Sequence, residues 1–145
     1  MNQQTCKIHW DHSTEEEAFQ QELWNKWEKK QKEVLSDSVH PVRLKNSILS
    51  RMSFEKLKAL LGHCFNPSYS HTKLIGLCSV TTNPNDFPGI DIEEKTRKIP
   101  QESHQLFISQ EDIKLDPLKI WCLKEACFKA VSNCYQRTQP KLIKE

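Results

Sequence analysis

The chain has 145 residues, enough for one domain with a core of its own. Hydrophobic residues make up 37% and charged residues 28%, a globular rather than a disordered composition. With 21 basic against 19 acidic residues the formal charge is only +2, so no nucleic acid and no membrane surface is expected as a partner. Glycine occurs three times, at Gly62, Gly76 and Gly89, and neither a P-loop nor a dinucleotide fingerprint can be written with those spacings. No apolar run approaches the length of a membrane span, and the first residues carry no apolar secretion signal. The cysteines at 6, 64, 78, 122, 127 and 134 are scattered, and most read as small packing residues in a reducing, cytoplasmic setting.

Cys6, His9 and His12 have a C-x-x-H-x-x-H spacing. No second ligand pair stands near, and Asp11 is a weak fourth ligand, so residues 1–12 read as an ordinary terminus rather than a zinc site. A helix is predicted over 13–35, capped by Ser13 with Glu16 completing a capping box. Glu15 to Glu17 suit its positive end, and Lys29, Lys30 and Lys32 its negative end. Phe19, Leu23 and Trp27 form its apolar stripe, while Lys26, Lys29 and Lys30 read as a solvated face rather than an anion site. Residues 1–40 are thus expected as an N-terminal helical segment and 41–145 as the main domain of a single compact unit.

Two short helical patterns follow Pro41, the second starting at a Ser53 cap and stopping at Gly62. Residues 63–67 read as a turn-rich connector, and Leu74 to Val80 as a strand. After the turn cluster at 83–88, the alternation in GIDIEE predicts a strand end. On a strand Asp91 and Glu93 would share one face about 7 Å apart, a spacing that lets two carboxylates meet one divalent cation. A polar linker leads to a helix beginning in HQLFISQEDI, with Ser109 and Asp112 as its capping pair. The strongest helix spans 116–133, with Asp116 as cap and Pro117 in the first turn. Leu118, Trp121, Cys122, Ala126 and Phe128 populate its apolar face, with Trp121 read as core, and Cys122, Cys127 and Cys134 as packing residues. Glu125 and Lys129 stand one turn apart on one face of it.

Together GIDIE at 89–93, LFISQEDI at 106–113 and WCLKEACFKA at 121–130 resemble the 4′-phosphopantetheinyl transferase superfamily. Its pattern runs from a G-(I/V)-D-x-E segment through F-(F/S)-x-x-E to W-x-x-K-E-A-x-x-K. SYSH at 68–71 resembles the S-x-S-H segment that precedes GIDIE in the larger, surfactin-synthetase-activating type, and the resemblance covers roughly 41–133. It implies an enzyme that moves the phosphopantetheinyl arm of coenzyme A to a serine of an acyl or peptidyl carrier protein, with Mg²⁺, releasing 3′,5′-ADP. Asp91, Glu93 and Glu125 match the Mg²⁺ ligands, and Glu125 also matches the residue that activates the serine. Lys129 matches the lysine at the transferred phosphate, and Ser70 and His71 the pair at the coenzyme A phosphates. Arg43 and Arg51 match loosely the basic residues at the 3′-phosphate end, and Lys124 the first lysine of its motif.

Three features depart from the family pattern. The chain ends soon after the lysine helix, VSNC at 131–134 replaces a glycine-rich turn, and no G-K-P precedes SYSH. The fold expected is therefore α+β, a small antiparallel sheet packed by helices with a shortened second lobe. A shortened lobe leaves an open sheet edge, from which a homodimer or higher oligomer is expected. The alternative is a degenerate relative that binds coenzyme A or a carrier protein without turnover.

Overall fold

A computed structural model describes residues 7–14, 21–35, 40–109 and 114–138. Three strands, β1 (Ile8–Thr14), β2 (Phe65–His71) and β3 (Ile75–Thr81), form one antiparallel sheet in the order β1-β3-β2. Four helices accompany it: α1 (Gln21–Leu35), α2 (Pro41–Leu61), α3 (Gln101–Phe107) and α4 (Pro117–Thr138). The α+β class and the small antiparallel sheet agree with the sequence reading. No helix among the described residues is long and apolar enough to cross a membrane.

The sheet separates two environments. Residues directly opposite in an antiparallel pair share a face, so Ser13, Gly76 and His71 lie on one side, as do Asp11, Cys78 and Tyr69. This side packs on α2, where Leu57, Cys78 and Val80 are buried with Phe54, Leu61 and Tyr69 around them. Farther along α2, Ile48, Leu49 and Met52 bury against Trp24 and Trp27 of α1. Ser68 and Ser70 point to the other side, where residues 86–94 and α4 lie.

Helix α2 runs unbroken where the sequence suggested two pieces. Ser53, expected as a cap, is fully buried in mid-helix and donates to the Leu49 carbonyl and, at 2.9 Å, to the Gly76 carbonyl of β3. Ser50 likewise donates to the Ser47 carbonyl within the helix. A hydroxyl that finds an acceptor in this way does not end a helix.

The N-terminal part also differs. Ser13 is no helix cap but the fully buried sixth residue of β1, so the helix predicted to start there begins later and 8–14 belongs to the sheet. Strand alternation sends His9 and His12 to opposite faces, which removes any joint metal role. Cys6, Glu15 to Glu17 and Phe19 lie outside the described residues. Lys26 pairs with Glu55 of α2 at 3.2 Å, and Lys26 and Lys30 lie over the Trp27 ring of their own helix, while Lys26, Lys29 and Lys30 all stay exposed, as a solvated face should.

Near the C-terminus, Asp116 caps α4 as expected, its Oδ1 accepting from the Leu118 and Lys119 amides at 2.8 and 3.2 Å. Helix α3 starts and stops earlier than expected, with Ser109 beyond its end and Asp112 outside the described residues. On α4, Phe128 and Cys127 are exposed rather than packed, while Ile120 is buried.

Gly76 shows how tightly β3 and α2 meet. A Cβ there would lie 2.1 Å from the Ser50 amide nitrogen and 2.3 Å from the Leu49 carbonyl carbon, both backbone atoms that cannot rotate away. Gly76→Ala is therefore expected to destabilise the chain by about 3 kcal/mol or more, read from urea denaturation followed by circular dichroism.

Candidate functional site

The candidate site forms where β2, the 86–94 segment and α4 meet. GIDIE is not a strand: among the described residues, 86–94 have no ladder partners, and the segment is held against side chains of β2 rather than against its backbone edge. Serine hydroxyls of β2 take the place of a ladder. Ser68 Oγ accepts from the Ile90 amide and Ser70 Oγ from the Ile92 amide, each at 3.2 Å. Upstream, buried Asn66, in the left-handed region with φ 51°, donates from Nδ2 to the carbonyls of Pro84 and Asp86. Asparagine is among the few residues that enter that region readily.

Gly89 lets the segment reach α4. A Cβ on it would sit 1.8 Å from the Ala126 carbonyl oxygen and 3.0 Å from the Ala130 side chain. The small residues of both motifs thus serve one close contact, which brings Asp91 to Lys129.

Asp91 is nearly buried, with 7% of its side chain exposed. Lys129 Nζ donates to its Oδ1 at 2.7 Å and to the Ile90 carbonyl at 3.1 Å. Ser70 Oγ also donates to Asp91 Oδ1, at 2.9 Å. Asp91 Oδ2 has no hydrogen-bond partner that meets ordinary geometry among the described residues. The Cys122 thiol stands against this carboxylate, and burial together with the negative charges of Asp91 and Glu93 pushes it up to about 11.

Glu93 belongs to a second group. Its Oε1 accepts from the Trp121 indole at 3.0 Å and from Arg97, whose guanidinium lies 5.6 Å over the Trp121 ring. Phe107 packs edge-on against the same ring, and Lys124 donates to the Phe107 carbonyl, tying α3 to α4. Trp121 is therefore part of the site's wall and not only core. Neither Arg97 nor the indole donor is marked as a site residue by the motifs. The signal was present: Trp121, Glu125 and Lys129 recur every four residues on one helix face, and Arg97 follows Glu93 by four.

The remaining expected residues are placed unequally. His71 ends β2 and lines a cleft of about 420 Å³ with Asn46, Lys73, Glu93 and Arg97. Partial burial, then the charges of Lys129 and Arg43, lower its pKa, although much of the residue still meets water. Arg43 is thus near the cleft, whereas Arg51 lies 3.3 Å above the Tyr69 ring on the α2 side of the sheet. Glu125 is half-buried on α4, one turn before Lys129.

The structure brings Ser70, Asp91 and Lys129 into contact and sets His71 and Glu93 along one cleft. It does not gather the three carboxylates: among the described residues no three His, Cys, Asp or Glu side chains converge as a metal-holding group. Asp91 and Glu93 each have a separate cation, Lys129 and Arg97. No family model, curated protein or solved structure matches the chain.

Two outcomes are expected from these charges. At pH 8 iodoacetamide should modify exposed Cys127 before Cys122, and Asp91→Asn should speed Cys122 by removing the charge that disfavours its thiolate; peptide mass mapping reads both. By NMR, His71 should titrate below the ordinary value of about 6.5 and move upward in Lys129→Met.

Proposed function

We propose that this chain transfers the 4′-phosphopantetheine arm of coenzyme A to a serine of an apo carrier protein and releases 3′,5′-ADP. The observation that carries the reading is the meeting of three segments far apart in sequence. SYSH supplies Ser70 and His71, GIDIE supplies Asp91 and Glu93, and the lysine helix supplies Lys129: Ser70, Asp91 and Lys129 are in direct contact, and the neighbouring residues His71 and Glu93 line the 420 Å³ cleft. These are three of the four segments on which the family resemblance rests; the fourth, LFISQEDI at 106–113, lies partly outside the described residues. A second, mostly apolar cleft of about 620 Å³, lined by Leu118, Cys122 and Leu123, shares Glu93 with the first and has room for the pantetheine arm.

In the reaction the serine oxygen bonds to the phosphorus on the pantetheine side, and the bond from that phosphorus to the leaving 3′,5′-ADP breaks. Lys129 offsets charge gathering on the phosphoryl oxygens. Ser70 positions Asp91 and, through it, Lys129. His71 lies on the cleft wall where the diphosphate would rest and, neutral near pH 7, acts there as a hydrogen-bonding group. Glu125 is the carboxylate assigned to take the serine proton.

Magnesium requires a separate test. Carboxylates are the right donors for a hard divalent ion, but Lys129 and Arg97 hold two of the three, so the set as arranged does not fit the ion. No step above is routed through it. The same neutralisation favours a second reading, in which the chain holds coenzyme A or a carrier without turnover.

Mass spectrometry separates the readings. Incubation with coenzyme A and apo carrier proteins, with Mg²⁺ or with a chelator, should add about 340 Da to a carrier, the mass of the transferred arm. Lys129→Ala should lower the rate by about 10²- to 10³-fold. Binding of coenzyme A with no mass gain on any carrier would select the second reading.

A further inference from the structure

We propose that Arg97 is the anion-binding residue of the 420 Å³ cleft, and that Glu93 holds its guanidinium in the resting state in place of a ligand phosphate. The inference deepens the transferase reading, on which it rests for the ligand's identity as a diphosphate. Four observations lead to it. Arg97 lines the cleft beside Lys73 and neutral His71, with Arg43 close enough to act on His71, so cations reach it from α2, the turn after β2 and the loop beyond GIDIE, against Glu93 and Glu94 in the same lining. The arginine is nearly half exposed, while its partner Glu93 is largely enclosed. Its guanidinium already lies over an aromatic face, which leaves the planar fork open to a second acceptor. Finally, Glu93 has another donor in the Trp121 indole, so its carboxylate stays partnered when Arg97 turns away.

The exchange is one of like for like. A carboxylate and a phosphate both accept from the guanidinium fork, and the phosphate carries more charge. A diphosphate entering the cleft thus competes with Glu93 for Arg97, and its affinity is reduced by whatever holds that pair together. Removing the Glu93 charge should therefore strengthen anion binding. A purely structural Arg97–Glu93 pair predicts the opposite or nothing, and so does a Glu93 that serves mainly as a metal ligand.

The test uses the full chain, inorganic pyrophosphate and a chelator, with affinity read by titration calorimetry. Glu93→Gln should bind pyrophosphate several-fold more tightly than the native chain. Arg97→Ala should bind about tenfold more weakly, with Arg97→Lys between the two. In the native chain, the Trp121 indole N–H signal, assigned with Trp121→Phe, should shift as pyrophosphate is added; this arm needs no charge variant to fold. The proposal is overturned if the native chain binds no pyrophosphate, if Arg97→Ala binds it as well as the native chain, or if Glu93→Gln binds it equally or more weakly. Carrier labelling is independent of these outcomes. Its failure beside a tighter Glu93→Gln removes the transferase reading alone, and its success beside an unchanged Glu93→Gln removes this inference alone.

Discussion

The contact between Lys129 and Asp91 is the constraint on which the rest of the site depends. A carboxylate that is nine-tenths enclosed is stable as an anion only if its charge is met at close range. Lys129 meets it at 2.7 Å and Ser70 adds a hydroxyl donor. Lys129 also reaches the Ile90 carbonyl, so one ammonium group joins α4 to both the backbone and the side chain of GIDIE. The approach is possible because Gly89 lies against the Ala126 carbonyl, where any side chain would separate the two. Removing the lysine would leave a buried charge uncompensated, a larger penalty than the net worth of the pair. Because Lys129 itself is 28% exposed, water screens part of that penalty.

Two layers flank the sheet that carries this contact. Helix α2 takes one face of the sheet through close backbone packing at Gly76, and the GIDIE segment takes the other through the hydroxyls of β2. Serines at alternate positions of β2 thus do what a fourth strand would do in a larger sheet. They leave the backbone of the segment free of a ladder and its carboxylates free to reach sideways. The polar alternation of S-Y-S-H is in this sense a structural device as well as a motif. Tyr69 between the serines turns to the α2 side, where Arg51 covers its ring.

Parts of this were legible in the sequence for definite reasons. Asp116 and Pro117 announce the start of α4 because a carboxylate cap and a ring-fixed φ are strong local signals. The turn cluster at 83–88 and the run from Ile75 to Val80 are equally local. β1 carries no such signal because its pattern is inverted. Ile8 and Trp10 point to water at 54% and 63% exposure, while Ser13 is buried, so alternation alone gives no reason to pair it with β3. Helix α2 reads as two pieces because Asn46, Ser50 and Ser53 lie on its buried side. Their small size admits the neighbouring strand, and the hydroxyls of both serines find carbonyl acceptors, which no apolar periodicity records. In the site, the residue types and their order were readable but their pairing was not. Which cation meets which carboxylate is decided by the path of the segment across the sheet, a tertiary fact.

That pairing changes how the cleft should be understood. With Asp91 on Lys129 and Glu93 on Arg97, two acidic residues in one short segment are each neutralised within the chain. Side by side and unpaired, the two carboxylates would repel each other, and enclosure would strengthen that repulsion. The resting arrangement avoids this by giving each anion its own cation. On the exchange proposed for Arg97, a polyanionic ligand displaces Glu93 from its cation. Such exchange would tie affinity to the strength of the internal pairs, and it would leave Glu93 with the Trp121 indole and Asp91 with Ser70 as their remaining donors only when the ligand has arrived. A proton or a hard cation would meet them in that second state, with the negative ligand beside them. Under that proposal the site would assemble its charge in order, anion first, because Lys129 and Arg97 already hold the carboxylates before anything binds.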